Sequence, residues 1–436
     1  MFHPTTVEIE NRKSMGRGKP KGSILPLYPQ LIAALASILL SVPVVTAQGA
    51  ASPTFRVLHS FTGGKDGSMP YAGLIIDKSG NLYGTAFLGG RGTCPPQNIG
   101  CGTVFEMTPS GSGWIFKTLY AFRGGNDGAA PDDTLTFGTN GSLYGTTNQG
   151  GNQACPSGCG VVFRLRPPTT ACETESCSWS ESVLYRFKGG NDGFYPYSNV
   201  TFDNAGDLYG TTEQGGSQGP GTVWKLTPSN GAWKETVLYN FPSQGPANPY
   251  SGVIFGKDGN LYGTAASGDG AVYQLSRSTG GWTEKTIYTF QGNGDGCESD
   301  AGLILGKLDN FIGATAFCGP KGEGTAYSLR PSKGHWTLTT LYGFPGPGLG
   351  PYAQLSMDAA GNLYGTTQGL GGAYGSVFKL THSSSGWKEV VLHTFTGGRD
   401  GGTPYSTIVF DPHGNLYGTA SIGGAFNDGV VFEITP

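Results

Sequence analysis

The chain has 436 residues, of which 76 are glycine, 12% are aromatic and 13% are charged, with a formal net charge of −3. Its length would allow two or three domains. One texture runs from about residue 53 to the end, so unrelated cores are excluded, as is a disordered glycine-rich chain, which would lack these aromatic and β-branched residues. No basic stripe occurs in this region, so a nucleic-acid partner has no electrostatic support.

The first 47 residues differ in kind. Arg12, Lys13, Arg17, Lys19 and Lys21 form a basic stretch, Leu31 to Val45 is apolar apart from serine and Pro43, and Val45-Thr46-Ala47 offers small residues ahead of Gln48. That order predicts a secretory signal peptide over 1–47, with Met15 as an alternative start. Fifteen apolar residues interrupted by proline fall short of the ~20 that span a bilayer, so no membrane span is expected in the mature chain, 48–436. The eight cysteines fit export: Cys94 and Cys101, Cys155 and Cys159, Cys172 and Cys177, and Cys297 and Cys318 are expected to form disulfides. A zinc site at the Cys155 and Cys159 spacing is the weaker alternative, because no matching histidine or second pair shares the loop.

From residue 53 onward the chain repeats itself. Its first element, Phe55-Arg-Val-Leu-His-Ser-Phe61, reads as a strand. An apolar stretch opening with Pro70-Tyr71 follows, then Gly80-Asn-Leu-Tyr-Gly-Thr85, a glycine-rich loop, and Gly102-Thr-Val-Phe-Glu-Met-Thr-Pro109. The Gly-x-Leu-Tyr-Gly-Thr anchor recurs at Gly141–Thr146, Gly206–Thr211, Gly259–Thr264, Gly361–Thr366 and Gly414–Thr419, with a worn copy at Asn310–Thr315. Its central residue falls at 82, 143, 208, 261, 311, 363 and 416, spaced by 50 (261 to 311) to 65 (143 to 208). Ahead of the later copies runs a segment from Trp to Phe, such as Trp114 to Phe122; the even spacing of eight predicts both rings on one side of a strand.

Each copy therefore supplies four short strands rich in Val, Ile, Thr, Tyr, Phe and Trp, bounded by turn residues. Four strands per repeat, seven repeats and no helical period predict an all-β fold, a seven-bladed β-propeller of four-stranded antiparallel blades. The last copy ends after three strands at Pro436, so the N-terminal strand is expected to close the last blade. Within the anchor, Leu82, Tyr83 and Thr85 are assigned to packing, and Gly84 to close approach by a neighbouring sheet.

The tandem motif resembles the Gloeobacter/Verrucomicrobia repeat proteins over nearly the whole mature chain. The resemblance implies an exported protein, often with a C-terminal anchor segment; none follows the last strand here, so a freely secreted or periplasmic protein is expected. It implies no established activity.

On a propeller, equivalent positions form a ring around the axis. The residue after the inner-strand proline (Ser299 in the fifth copy) is Tyr71, Asp132, Tyr197, Tyr250, Asp300, Tyr352 and Tyr405. Tyrosine faces and carboxylates suit sugars, which combine apolar C–H faces with directional hydroxyls. Asp66, Asp127, Asp192, Asp295 and Asp400 sit in Asp-Gly turns; one carboxylate per turn falls short of a calcium site. No catalytic or phosphate-binding motif occurs, and no metal or cofactor is expected. The reading is a monomeric, exported, non-catalytic protein binding polysaccharide or extracellular protein at its axial face. A polysaccharide lyase or hydrolase using Asp132, Asp133 and Asp300, and a purely structural surface protein, are the alternatives.

Overall fold

Every anchor motif forms a short strand that is buried along nearly its whole length. In the computed structural model, which describes residues 52–94, 99–168, 178–346, 350–369 and 371–436, each of these is the second strand of a four-stranded antiparallel sheet. The first blade runs from an inner strand, Ile75–Ile76, through Leu82–Ala86 and Thr103–Ser110 to an outer strand, Gly113–Ala121. Six further sheets repeat this order, giving a seven-bladed propeller. The predicted signal segment, 1–47, lies outside the described residues.

The last blade takes its outer strand from the other end of the chain. Thr54–Ser60 pairs antiparallel with Val430–Thr435, from Thr54 opposite Thr435 to Ser60 opposite Val430. Arg56 Nε donates to Glu433 Oε2 at 3.0 Å across this pair. The predicted closure by the N-terminal strand is therefore present.

Two expectations about packing are corrected. Trp114 and Phe122 face opposite sides of their blade. A β-bulge between Val104 and Phe105 sets two residues of the outer strand against one, so the even spacing loses its parity. Trp114 packs on Tyr417 of the seventh blade (5.6 Å between ring centroids), while Phe122 packs on Phe163 of the second (5.2 Å). Gly84, in turn, makes room within its own sheet. A Cβ there would lie 2.6 Å from the Phe105 ring and 2.7 Å from Leu74, because the cross-strand aromatic folds over the glycine.

The bulge lets one aromatic contact close all seven interfaces. Phe122–Phe163, Phe187–Trp224, Phe241–Tyr273, Phe290–Tyr327, Phe344–Phe378 and Phe395–Phe432 join successive blades, and Phe61–Phe105 joins the seventh to the first. All seven phenylalanines are at most 3% exposed, and such buried pairs contribute ~0.5–1.5 kcal/mol beyond their burial.

The anchor threonine adds a second link, where sequence alone suggested packing. Thr146 Oγ1 donates to the Ser198 carbonyl of the next blade at 2.9 Å, and Thr211, Thr264, Thr366 and Thr419 do the same to Ser251, Ala301, Ser406 and Ala72. Two interfaces lack it. Thr85 Oγ1 is buried without a partner, and in the worn fifth copy Ala314 takes the threonine's place opposite Ala326.

Candidate functional site

The site begins with a strained turn. Met69, Ala130, Tyr195, Asn248, Glu298 and Thr403 lie two residues before a predicted ring position, and all have left-handed backbone, φ 53° to 59°. Non-glycine residues are uncommon there. Two sets of hydrogen bonds hold them. Their carbonyls accept from the N–H groups of Phe87, Asn148, Glu213, Ala266, Ala316 and Ser421 at 3.0 to 3.4 Å; five of these directly follow a second strand, and Ala316 lies near the end of one. Several of their N–H groups reach back to the preceding blade, as Met69 does to Asp428 and Ala130 to Cys101.

Each such turn aims the following side chain at the axis. Tyr71, Asp132, Tyr197, Tyr250, Asp300, Tyr352 and Tyr405 all line one cavity of about 420 Å³, within the ~300–1,000 Å³ of small-ligand sites. Their order divides the tyrosines into two arcs with an aspartate in each gap. Tyr352, Tyr405 and Tyr71 contact one another at 6.0 and 5.4 Å between centroids; Tyr197 and Tyr250 are 5.9 Å apart.

A supporting shell escaped the sequence reading. Asn148 Nδ2 donates to Asp132 Oδ2 at 3.3 Å, Tyr250 donates to Glu213 Oε1 at 2.9 Å, and Gln368 Nε2 donates to the Tyr405 hydroxyl. Phe87 packs edge-on against Tyr71 and Phe317 against Tyr352. Phe87, Asn148, Glu213 and Gln368 occupy one repeat position, the residue after Gly-Thr-Ala or Gly-Thr-Thr. Its variation inside an otherwise constant motif was the available signal.

Below the ring, the residue two positions after each ring residue forms a floor. The Gly73 N–H donates to Thr134 Oγ1 at 3.1 Å. A Cβ on Gly252 would lie 2.3 Å from Asn199 Oδ1, and one on Gly302 3.1 Å from Gln354 Nε2. Polar side chains thus fill the axis beneath the mouth.

Among the described residues, the lining carries Asp132, Asp133 and Asp300, and no lysine, arginine or histidine. Burial, followed by the charge of Asp133, pushes the Asp132 carboxyl up to about 7. Burial raises Asp133 to about 7 as well, although the Thr134 and Asn199 N–H groups both donate to it. Asp300 rises to about 6 through burial and then Glu298. These carboxyls are recessed among protein walls yet still reach solvent through the mouth. Burial also raises the phenols of Tyr197, Tyr250 and Tyr352, which stay protonated donors. The cavity therefore offers aromatic faces, hydroxyl donors and carboxyls that exchange protons near neutrality.

The Gloeobacter/Verrucomicrobia repeat model matches residues 45–269 and 265–436. The chain belongs to that repeat family. No curated protein matches it. Among solved structures, it is similar to a candidate 6-phosphogluconolactonase from Bacteroides uniformis ATCC 8492, at 13% identity and TM-score 0.49, covering 75% of this chain and 87% of that one. A second candidate 6-phosphogluconolactonase, from Bacteroides fragilis NCTC 9343, matches at 12% identity and TM-score 0.47, covering 77% and 86%.

In this member of the repeat family the Asp-Gly carboxylates are engaged by the outer strands. Asp127, Asp192 and Asp295 accept from Tyr120, Tyr185 and Tyr288, and Asp66 and Asp400 meet His59 and His393 in the same slot. No group of residues suited to a metal occurs among the described residues. Disulfides join Cys94 to Cys101, Cys155 to Cys159 and Cys297 to Cys318; Cys172 and Cys177 lie outside the described residues. All three brace the rim. The Cys101 and Cys159 carbonyls accept from strained Ala130 and Tyr195, and Cys297 precedes Glu298.

Proposed function

We propose that this is an exported, non-catalytic binding protein whose axial cavity recognises sugar units of an extracellular or envelope polysaccharide. The convergence of five tyrosines and two aspartates on one cavity carries this reading. Phenol rings present apolar faces to sugar C–H groups, and the carboxyls, with Asn199 and Gln354 below, give hydroxyls directional partners. Export is supported by the basic, apolar and small-residue order of residues 1–47 and by three disulfides, which belong to oxidising compartments. Among the described residues, no helix is long and apolar enough to cross a membrane.

A second reading has its own support. Asp132, Asp133 and Asp300 titrate where general acids and bases work, as a polysaccharide lyase or hydrolase requires. One experiment separates the two. The protein is pulled down on a panel of polysaccharides while the supernatant is assayed for reducing ends and unsaturated sugars. Retention without release, lost in a Tyr197→Ala, Tyr352→Ala double variant, is the expected result. Sugar release would make the protein an enzyme; retention on nothing would leave a protein partner or a structural role.

A further inference from the structure

Resting on the glycan-binding reading, we infer that the cavity selects glycans bearing free amino groups over uncharged or acidic ones, with Asp132 and Asp300 as the ammonium-binding groups. Among the described residues, every formal charge on the lining is negative. A phosphate, sulfate or uronate would enter with no cation to meet it and three carboxyls to oppose it.

The three carboxyls are not equivalent. Asp133 accepts backbone N–H groups from Thr134 and Asn199, so it is committed to joining the second and third blades. Asp300 has no hydrogen-bond or ion-pair partner among the described residues, and Asp132 has only the 3.3 Å contact from Asn148. Both line the cavity. A recessed carboxylate without partners is unfavourable unless a ligand supplies donors.

Their neighbours specify which donor fits. Asp132 sits between Tyr71 and Tyr197 in the ring, and Asp300 between Tyr250 and Tyr352. A carboxylate flanked by phenol rings attracts an ammonium twice, through its charge and through the negative ring faces. A sugar hydroxyl or acetamide gains only the hydrogen bond. Because Asp132 belongs to the second blade and Asp300 to the fifth, the two positions lie across the mouth from each other. That arrangement suits a polymer with an amine on successive units better than a single small cation.

The test is calorimetric titration of the purified protein at pH 6.5 with a glucosamine tetramer and with the N-acetylglucosamine tetramer, which share a backbone and differ in blocking of the amines. The free-amine form is expected to bind about tenfold more tightly or better. An Asp132→Asn, Asp300→Asn double variant should weaken it about tenfold more than it weakens the acetylated form. Equal or tighter binding of the acetylated tetramer, or a preference that survives in the double variant, would overturn the inference and leave glycan binding standing. Binding of neither tetramer, with a neutral glucan tetramer retained, overturns the amine selectivity alone. If no glycan binds, the binding reading falls with it.

Discussion

Phe61 meets Phe105 edge-on, with ring centroids 5.4 Å apart and planes at 66°. The contact repeats the one Phe122 makes with Phe163, except that its two partners come from the seventh and first blades. A strand at the start of the chain therefore completes the same aromatic ring that the tandem repeats build elsewhere. Phe61→Ala should lower unfolding free energy by about 3–5 kcal/mol, the range for a buried phenylalanine, read from denaturant titration. Deleting residues 52–61 should go further and leave an aggregating product. A deletion variant that unfolds as late and as cooperatively as the full chain would show that the seam is dispensable.

The threonine links offer a paired comparison. Thr146→Val removes the donor to Ser198 and strands a buried carbonyl, for an expected loss of about 1–2 kcal/mol. Thr85→Val, the same change at the same repeat position, removes a hydroxyl that already lacks a partner and should be neutral or stabilising. Equal losses in the two variants would mean that the hydroxyl contact contributes little.

Replacing Cys297 and Cys318 by serine opens a loop of 21-residue separation and should cost about 3 kcal/mol. Because Cys297 adjoins strained Glu298 and the Asp300 entrance, the same variant is expected to lose ligand retention at temperatures where it is still folded. Calorimetry alongside pull-down would separate the two effects.

The cavity carboxyls also set a pH dependence. With Asp132 and Asp133 near 7 and Asp300 near 6, the native state keeps protons that an unfolded chain releases around 4. Between about pH 4 and 7 the native state binds more protons, so these groups lower stability as pH rises through that window. Glu181 and Glu235, raised to about 7 by burial, act in the same sense. His59 and His393, lowered by burial, act oppositely and weaken the fold on acidification. A difference measurement isolates the cavity: an Asp132→Asn, Asp300→Asn variant should melt above the wild type at pH 8 and alongside it at pH 4.5.

The repeat, its seven copies and the closing strand were legible because Leu82, Tyr83 and their counterparts recur at positions that fix strands and turns. The ring from Tyr71 to Tyr405 was legible as an alignment of copies, since symmetry converts equal position into shared location. Side-chain direction was not. The bulge opposite Val104 and Phe105 leaves no mark in the composition, yet it sends Trp114 and Phe122 to different neighbours. The inter-blade role of Thr146 was equally hidden, because a threonine flanked by glycine fits packing as well as hydrogen bonding. Asn148, Glu213 and Gln368 stood out only as variation, and their targets depend on how the loops fold over the rim.

The left-handed residues ahead of the ring have a consequence for how such a protein changes over time. Met69, Ala130 and Thr403 are fixed by main-chain hydrogen bonds, and the same left-handed backbone presents tyrosine in four copies and aspartate in two. The geometry of the mouth is thus independent of the groups displayed on it. Six positions can be rewritten without disturbing the aromatic seams behind them, so the groups displayed at the mouth are free to diversify while the scaffold stays still.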